Sequence, residues 1–116
     1  MRYERIDRIS HEIQRELASI IPLLKDPRII PAITSVTAVR ATRDLSYANV
    51  YISVLGDETA RLATIEGLNS AKGFIRREIS ARVKLRITPE ITFVSDDTIE
   101  HGAHINEILK DLNVDE

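Results

Sequence analysis

Ile6, Ile9, Ile13, Leu17, Ile20 and Leu24 recur at intervals of three and four residues, with mostly polar or charged positions between them. That is the period of one apolar stripe on an α-helix, and it predicts a long first helix over residues 2–24. Pro22 lies inside this window, and a proline ring both removes a donor and clashes with the preceding turn. The helix is therefore expected to kink or stop near Ile21. On a wheel of about 100° per residue, Arg5, Arg8 and Arg15 fall along one flank of the stripe, with Glu12 among them. The next stretch, KDPRIIPA, holds two prolines that exclude regular helix, so residues 25–32 read as a packed loop.

The period then changes to two. ITSVTAVRA and YANVYISVL are rich in β-branched residues and are separated by TRDLS, which predicts two strands in an antiparallel hairpin. In the second strand Ala48, Val50, Ile52 and Val54 share one face, and Tyr47, Asn49, Tyr51 and Ser53 share the other. A core face backed by a polar face suits a sheet covered by helices on one side only. Gly56 ends the strand, and Asp57 suits the N-cap of a helix carrying Leu62, Ile65 and Leu68 on one side. The helical pattern runs into Gly73 and restarts with Ile75, Ile79 and Val83. RITPEITFVS then predicts a third strand with Ile91 and Phe93 inward, and Pro89 puts the start of that strand at an edge. Last, Asp97 suits the cap of a short helix with Ile105, Ile108, Leu109 and Leu112 on one side, weakened in its first turn by Gly102. The order helix, strand, strand, helix, helix, strand predicts one α+β core within residues 1–95, followed by a tail over 96–116.

A chain of 116 residues is long enough for one such core, burying roughly 65% of the surface exposed by its unfolded form. The absence of cysteine excludes disulfides and thiolate chemistry and suits a reducing compartment. MRYERIDRIS has no apolar signal core, and no stretch approaches the roughly 20 apolar residues that span a bilayer, so a soluble cytoplasmic protein with no membrane partner is expected. The net charge of −2 conceals a division, because seven acids and one base from Asp96 onward leave a tail of −6 and a body of +4. A basic body points toward a polyanionic partner.

Catalytic chemistry finds little support. His101 and His104 stand near Asp96, Asp97 and Glu100, but no third ligand has a characteristic metal spacing, and histidine beside acids at a helix start reads as a solvated cap. There is no Gly-rich phosphate loop, and Ser10 beside His11 in an amphipathic helix is not a nucleophile arrangement. No enzyme activity, metal, cofactor or small-molecule substrate is expected. The segment LNSAKGFIRREISARVKL is more informative, because Lys72, Arg76, Arg77, Arg82 and Lys84, with Arg86 just beyond, face a single acid, Glu78. A glycine inside a helix costs about 1 kcal/mol relative to alanine, so Gly73 asks for a local reason. One reason is that it ends a helix, through a positive φ or a close backbone approach, and lets the next helix pack against the sheet. Another is that the junction exposes a fresh helix N-terminus, whose free N–H groups attract phosphate. Both reasons are compatible, and a plain solvated basic face is the bland alternative to the second. Tyr47 and Tyr51, on the polar strand face, suit stacking on bases and equally suit ordinary strand positions.

The stretches RIDRISHEIQREL, DPRI, TRDLSYANVYISVLG, LNSAKGFIRREISARVKLRITPEITFV and DDTIEHGAHINEIL together resemble the ribosome-binding factor A family. The resemblance runs from the first helix almost to the end. It implies a KH-like fold of the second topological type, α-β-β-α-α-β. Ordinary KH domains clamp four backbone nucleotides with a Gly-x-x-Gly loop. The family instead has Ala-x-Gly, here Ala71, Lys72 and Gly73, which reduces the loop to an interhelical kink. The resemblance further implies a monomeric, non-catalytic factor that binds free small (30S) ribosomal subunits. It would support late maturation and processing of 16S ribosomal RNA near its 5′ end, including during growth in the cold. The implied RNA-binding surface comprises Arg5, Arg8, Arg43, Lys72, Arg76, Arg77, Arg82 and Lys84. Arg82 falls close to Ile79 and Val83 on the wheel, which also suits packing against the body. The competing expectation is a protein-docking module that acts through the tail helix and hairpin without touching RNA.

Overall fold

A computed structural model of the protein describes residues 2–97. Helix α1 spans Arg2–Ile20 and passes into a single 3-10 turn, Ile21–Leu23, so Pro22 stops the α-helix where its ring demands. A second 3-10 turn at Pro31–Ile33 leads into β1, Thr34–Ala41, and β2, Tyr47–Val54. Helices α2, Glu58–Ser70, and α3, Lys72–Arg82, precede β3, Glu90–Ser95. The element order and the α+β class agree with the sequence reading.

The three strands lie in the order β1-β2-β3. β1 pairs antiparallel with β2, while β3 runs parallel to β2 in the register Tyr47↔Glu90 to Ile52↔Ser95. The Asp96 N–H continues this ladder to the Ile52 carbonyl at 2.8 Å. The core lies between one sheet face and the helices. Ile9, Ile13, Leu17 and Ile20 of α1 meet Ala48, Val50 and Ile52 of β2, Ile91 and Phe93 of β3, Leu68 of α2, and Ile75 and Ile79 of α3. Each fully buried aliphatic contributes about 1.5–3 kcal/mol relative to exposure, so this cluster dominates stability. On the opposite sheet face Tyr47, Asn49 and Thr92 are exposed. No helix among the described residues is long and apolar enough to cross a membrane.

Asp57 caps α2 as expected, its Oδ1 accepting the Ala60 N–H at 2.8 Å. The buried face of α2 differs from the expected one. Leu68 is buried as expected, but Leu62 is 57% exposed and Ile65 only partly buried, and Thr64 and Gly67 turn inward beside Leu68. The cause is the loop before β1, which packs on α2. A Cβ on Gly67 would stand 3.1 Å from Ile29 Cγ1 and 3.3 Å from Arg28 Cβ, and the Thr64 hydroxyl shares its proton between the Ala60 carbonyl at 2.9 Å and the Arg28 carbonyl at 3.1 Å. Small residues allow that approach, and the helix rotates by about one residue to present them. Arg28 in turn binds the Asp26 carboxylate through Nε at 3.0 Å and Nη2 at 2.6 Å, and its Nη1 lies 3.3 Å from Glu66. The predicted short helix with Ile105, Ile108, Leu109 and Leu112, together with His101 and His104, lies outside the described residues.

Candidate nucleic-acid interface

Between α2 and α3 stands one residue, Ala71, with φ −95° and ψ 8°. Its N–H still bonds back to the Gly67 and Leu68 carbonyls at 3.1 Å, so the chain turns there without losing the end of α2. Gly73 is neither the breaker nor a strained position. It is the second residue of α3, no glycine among the described residues has a positive φ, and a Cβ at Gly73 would meet only Arg77 Nη1, at 3.9 Å. The close approach expected at Gly73 occurs at Gly67. What Gly73 leaves is open space beside the first turn of α3. That turn has no side-chain cap and no acidic residue, so no carboxylate offsets the positive end of the α3 dipole, and only the carbonyl end of α2, which stops at the same Ala71, stands beside it.

A shallow depression of about 420 Å³ opens at this point, lined by Gly73, Arg76, Arg77, Ser80 and Thr88. Arg76 is partly committed to the fold, because its Nη2 and Nε donate to the carbonyl of Thr88 at 2.7 and 3.2 Å, tying α3 to the approach to β3. Lys72, Arg77 and Lys84 are exposed, and none is paired with an acid among the described residues. Arg82 is different. It lies 3.5 Å from Glu16 of α1 and 3.3 Å from Glu78, so its charge faces two carboxylates and joins α3 to α1. The packing expected of Arg82 from its wheel position takes this form.

The remaining cations fall into two neighbourhoods. Arg5 lines a cleft of about 240 Å³ with Asp44, Leu45, Ser46, Leu85, Arg86 and Ile87, which joins the start of α1 to the hairpin turn and to the segment after α3. Arg8 is exposed on the α1 flank that also carries Glu16, and the Glu16–Arg82 pair turns that flank toward α3. Arg43 instead borders a depression of about 550 Å³ between α1 and β1, with Asp7, His11, Gln14 and Arg40 in its lining. The turn that carries Arg43 is shaped by its neighbour. The Ser46 N–H at 3.1 Å and the Thr42 hydroxyl at 2.9 Å donate to the Asp44 carboxylate and hold it below the usual carboxylate range, and Leu45 takes φ 62°. Two further cations stand near the expected ones: Arg86 beside Arg5, and Arg40 of β1, whose backbone neighbours Arg43 but whose guanidinium lies over the Tyr51 ring on the outward sheet face. Arg86 is visible in the basic run, whereas Arg40 reads in sequence as an ordinary strand residue. Among the described residues no three acidic or histidine side chains converge on one point. The arrangement suits phosphate groups, with unpaired cations around an open helix start and a floor without a side chain.

Comparison with known proteins agrees with the resemblance. A family model described as ribosome-binding factor A matches residues 5–109. Ribosome-binding factor A of Clostridium tetani is 51% identical over 113 residues, covering 97% of this chain and 93% of that protein. The crystal structure of ribosome-binding factor A from Thermus thermophilus superposes with a TM-score of 0.69 at 26% identity, over 79% of this chain and 97% of that one. A homology model of the Thermus thermophilus factor, fitted into the cryo-EM map of its complex with 30S, gives a TM-score of 0.63 at 27% identity, over 77% and 92% of the two chains.

Proposed function

Because the chain belongs to the ribosome-binding factor A family, we propose that it binds the free small (30S) ribosomal subunit and contacts 16S ribosomal RNA there. In this reading it assists late maturation and processing near the 5′ end of that RNA, including in the cold, as a cytoplasmic monomer that catalyses no reaction itself. The fit of the related Thermus factor into a 30S complex supports the choice of partner. The observation that carries the RNA contact is the set of unpaired cations Lys72, Arg77 and Lys84 around and beyond an uncapped helix start. The α-β-β-α-α-β order supports a KH-like reading of the fold. In that reading Ala71-Lys72-Gly73 replaces the Gly-x-x-Gly loop, so phosphates meet the first turn of α3 where an ordinary KH domain offers a loop.

Each neutralised phosphate adds about 0.7–0.9 to the salt dependence of binding. Replacing Lys72, Arg77 and Lys84 together by glutamine should therefore lower the slope by about 2 to 3. Arg76 is left in place because its loss would free the Thr88 carbonyl. Wild-type protein should co-sediment with free small subunits, and the triple variant should lose that association at moderate salt. Cells relying on the variant should accumulate unprocessed 16S precursor, most visibly in the cold. Leu55, at the open end of the hairpin and 77% exposed, favours the protein-docking alternative. An unchanged salt slope and wild-type affinity in the triple variant would remove the α3 contact, and a binding that is also insensitive to salt in the wild type would favour that alternative over RNA contact.

A further inference from the structure

The face of the sheet turned away from the helices carries chemistry that the α3 cluster does not use. Tyr47, Asn49 and Tyr51 alternate along β2, the central strand, so all three project from that face. Tyr47 is 60% exposed and Tyr51 partly so. The register sets Arg40 of β1 and Thr92 of β3 on either side of Asn49, Glu90 beside Tyr47, and Val94 beside Tyr51. The guanidinium carbon of Arg40 stands over the Tyr51 ring at 6.0 Å from its centroid. Arg40 makes no ion pair among the described residues, so only the Tyr51 ring is set against its head there.

We infer that this open face is a second RNA-binding surface, on which Tyr47 and Tyr51 each stack one base of a single strand. The inference rests on the RNA-binding reading above. Tyr47 and Tyr51 are four positions apart on the strand, about 13 Å at full extension, which separates the two rings enough for each to take its own unstacked base. Asn49 lies between the rings and offers one acceptor and two donors to a base edge. A base stacked on the Tyr51 ring takes the position over it that the Arg40 guanidinium now holds, so Arg40 shifts aside or covers the base from its other face. Its charge then also meets phosphate, and the Glu90 carboxylate beside Tyr47 keeps the RNA backbone toward the β1 side. The occupant is a single strand because the face is polar and shallow. Asn49, Thr92 and Arg40 give an apolar protein surface little to bury, and a paired duplex hides the base faces that tyrosine needs.

The chain has three tyrosines and no tryptophan, so stacking on Tyr47 and Tyr51 is directly visible as quenching of intrinsic tyrosine fluorescence. The probe is a single-stranded RNA oligonucleotide of about ten residues, with the same sequence as a duplex for comparison. The single strand should quench the wild-type protein and the duplex should not. Tyr47→Phe and Tyr51→Phe should bind as wild type. Tyr47→Leu and Tyr51→Leu, which keep the strand and its bulk, should each weaken binding by about fivefold to a hundredfold. Arg40→Gln should weaken binding and lower the salt slope by about 1. Wild-type affinity in the double Tyr47→Leu, Tyr51→Leu variant would overturn the platform. If the α3 triple variant nonetheless loses its salt slope, the RNA-binding reading survives that failure. If the tyrosine variants weaken binding while the α3 variant keeps its slope, the platform stands and the α3 contact falls.

Discussion

Asn69 of α2 holds both main-chain groups of Phe93 in β3, donating from Nδ2 to its carbonyl at 3.0 Å and accepting its N–H on Oδ1 at 2.9 Å. β3 is an edge strand, so without this amide the outward groups of Phe93 would face the packing of α2 unpaired. One side chain thus does locally what a fourth strand would do.

Asn69→Leu should destabilise the protein by about 2–3 kcal/mol, since two hydrogen bonds are lost and two backbone groups are left without partners. Asn69→Asp should cost less, because the N–H acceptor remains. Urea denaturation gives the magnitudes. Hydrogen exchange should show the Phe93 amide opening faster in both variants.

Gly67 and Gly73 should respond to alanine with opposite signs. Gly73→Ala meets open space and removes a glycine from the first turn of α3, so it should stabilise the protein, by no more than about 0.5 kcal/mol at this helix-end position. The same change should weaken subunit binding if the RNA backbone approaches this floor. Gly67→Ala presses on Ile29 and on Arg28, which is held by Asp26 and Glu66, and should destabilise by about 1–2 kcal/mol despite the propensity gain. Thermal unfolding distinguishes the two.

Asp26 should titrate at about 2, because the Arg28 side chain and N–H both donate to its carboxylate. Its folded pKa lies below the unfolded value of about 3.8, so the stabilisation is complete above that value and is lost as pH falls from there through about 2. Carboxyl NMR of the Arg28→Gln variant should show the Asp26 midpoint moving up toward 3.8.

Truncation after Asp97 should leave one cooperative unfolding transition, because Asp96 completes the β3 ladder at Ile52 and Asp97 lies 3.7 Å from Arg61. Cutting after Ser95 removes the Asp96 bond and should lower the midpoint slightly. A broad transition in the longer fragment would mean that residues beyond 97 belong to the core.

The elements are legible in the sequence because they rest on period. The stripe from Ile6 to Ile20, the alternation from Tyr47 to Val54 and the spacing of Ile75 and Ile79 all report burial on one face. The orientation of α2 is not legible, because its inward side is made by Thr64 and Gly67, whose contribution is smallness and a hydroxyl, while Leu62 carries the hydropathy. Gly73 misleads for a related reason. A glycine in a helix signals that a side chain is missing without saying whether backbone or open space takes its place. The basic run is plain, but charge has no direction in a sequence. Pairing with Glu16 sets Arg82 apart, and the Thr88 carbonyl sets Arg76 apart, through contacts distant along the chain.

The parallel pairing of β2 with β3 governs how the chain reaches this fold. The β1–β2 hairpin is local and can form quickly, but the far edge of β2 receives its partner only after α2 and α3 have been made and laid across the sheet. Closing that crossover costs chain entropy before any β3 contact rewards it. During synthesis the nascent chain therefore presents a central strand paired on its β1 side only, with Tyr47 to Ile52 open along the other edge, until the region of Ser95 has emerged. The interval is when the chain is most open to wrong pairing, and it shortens with faster elongation through the two helices.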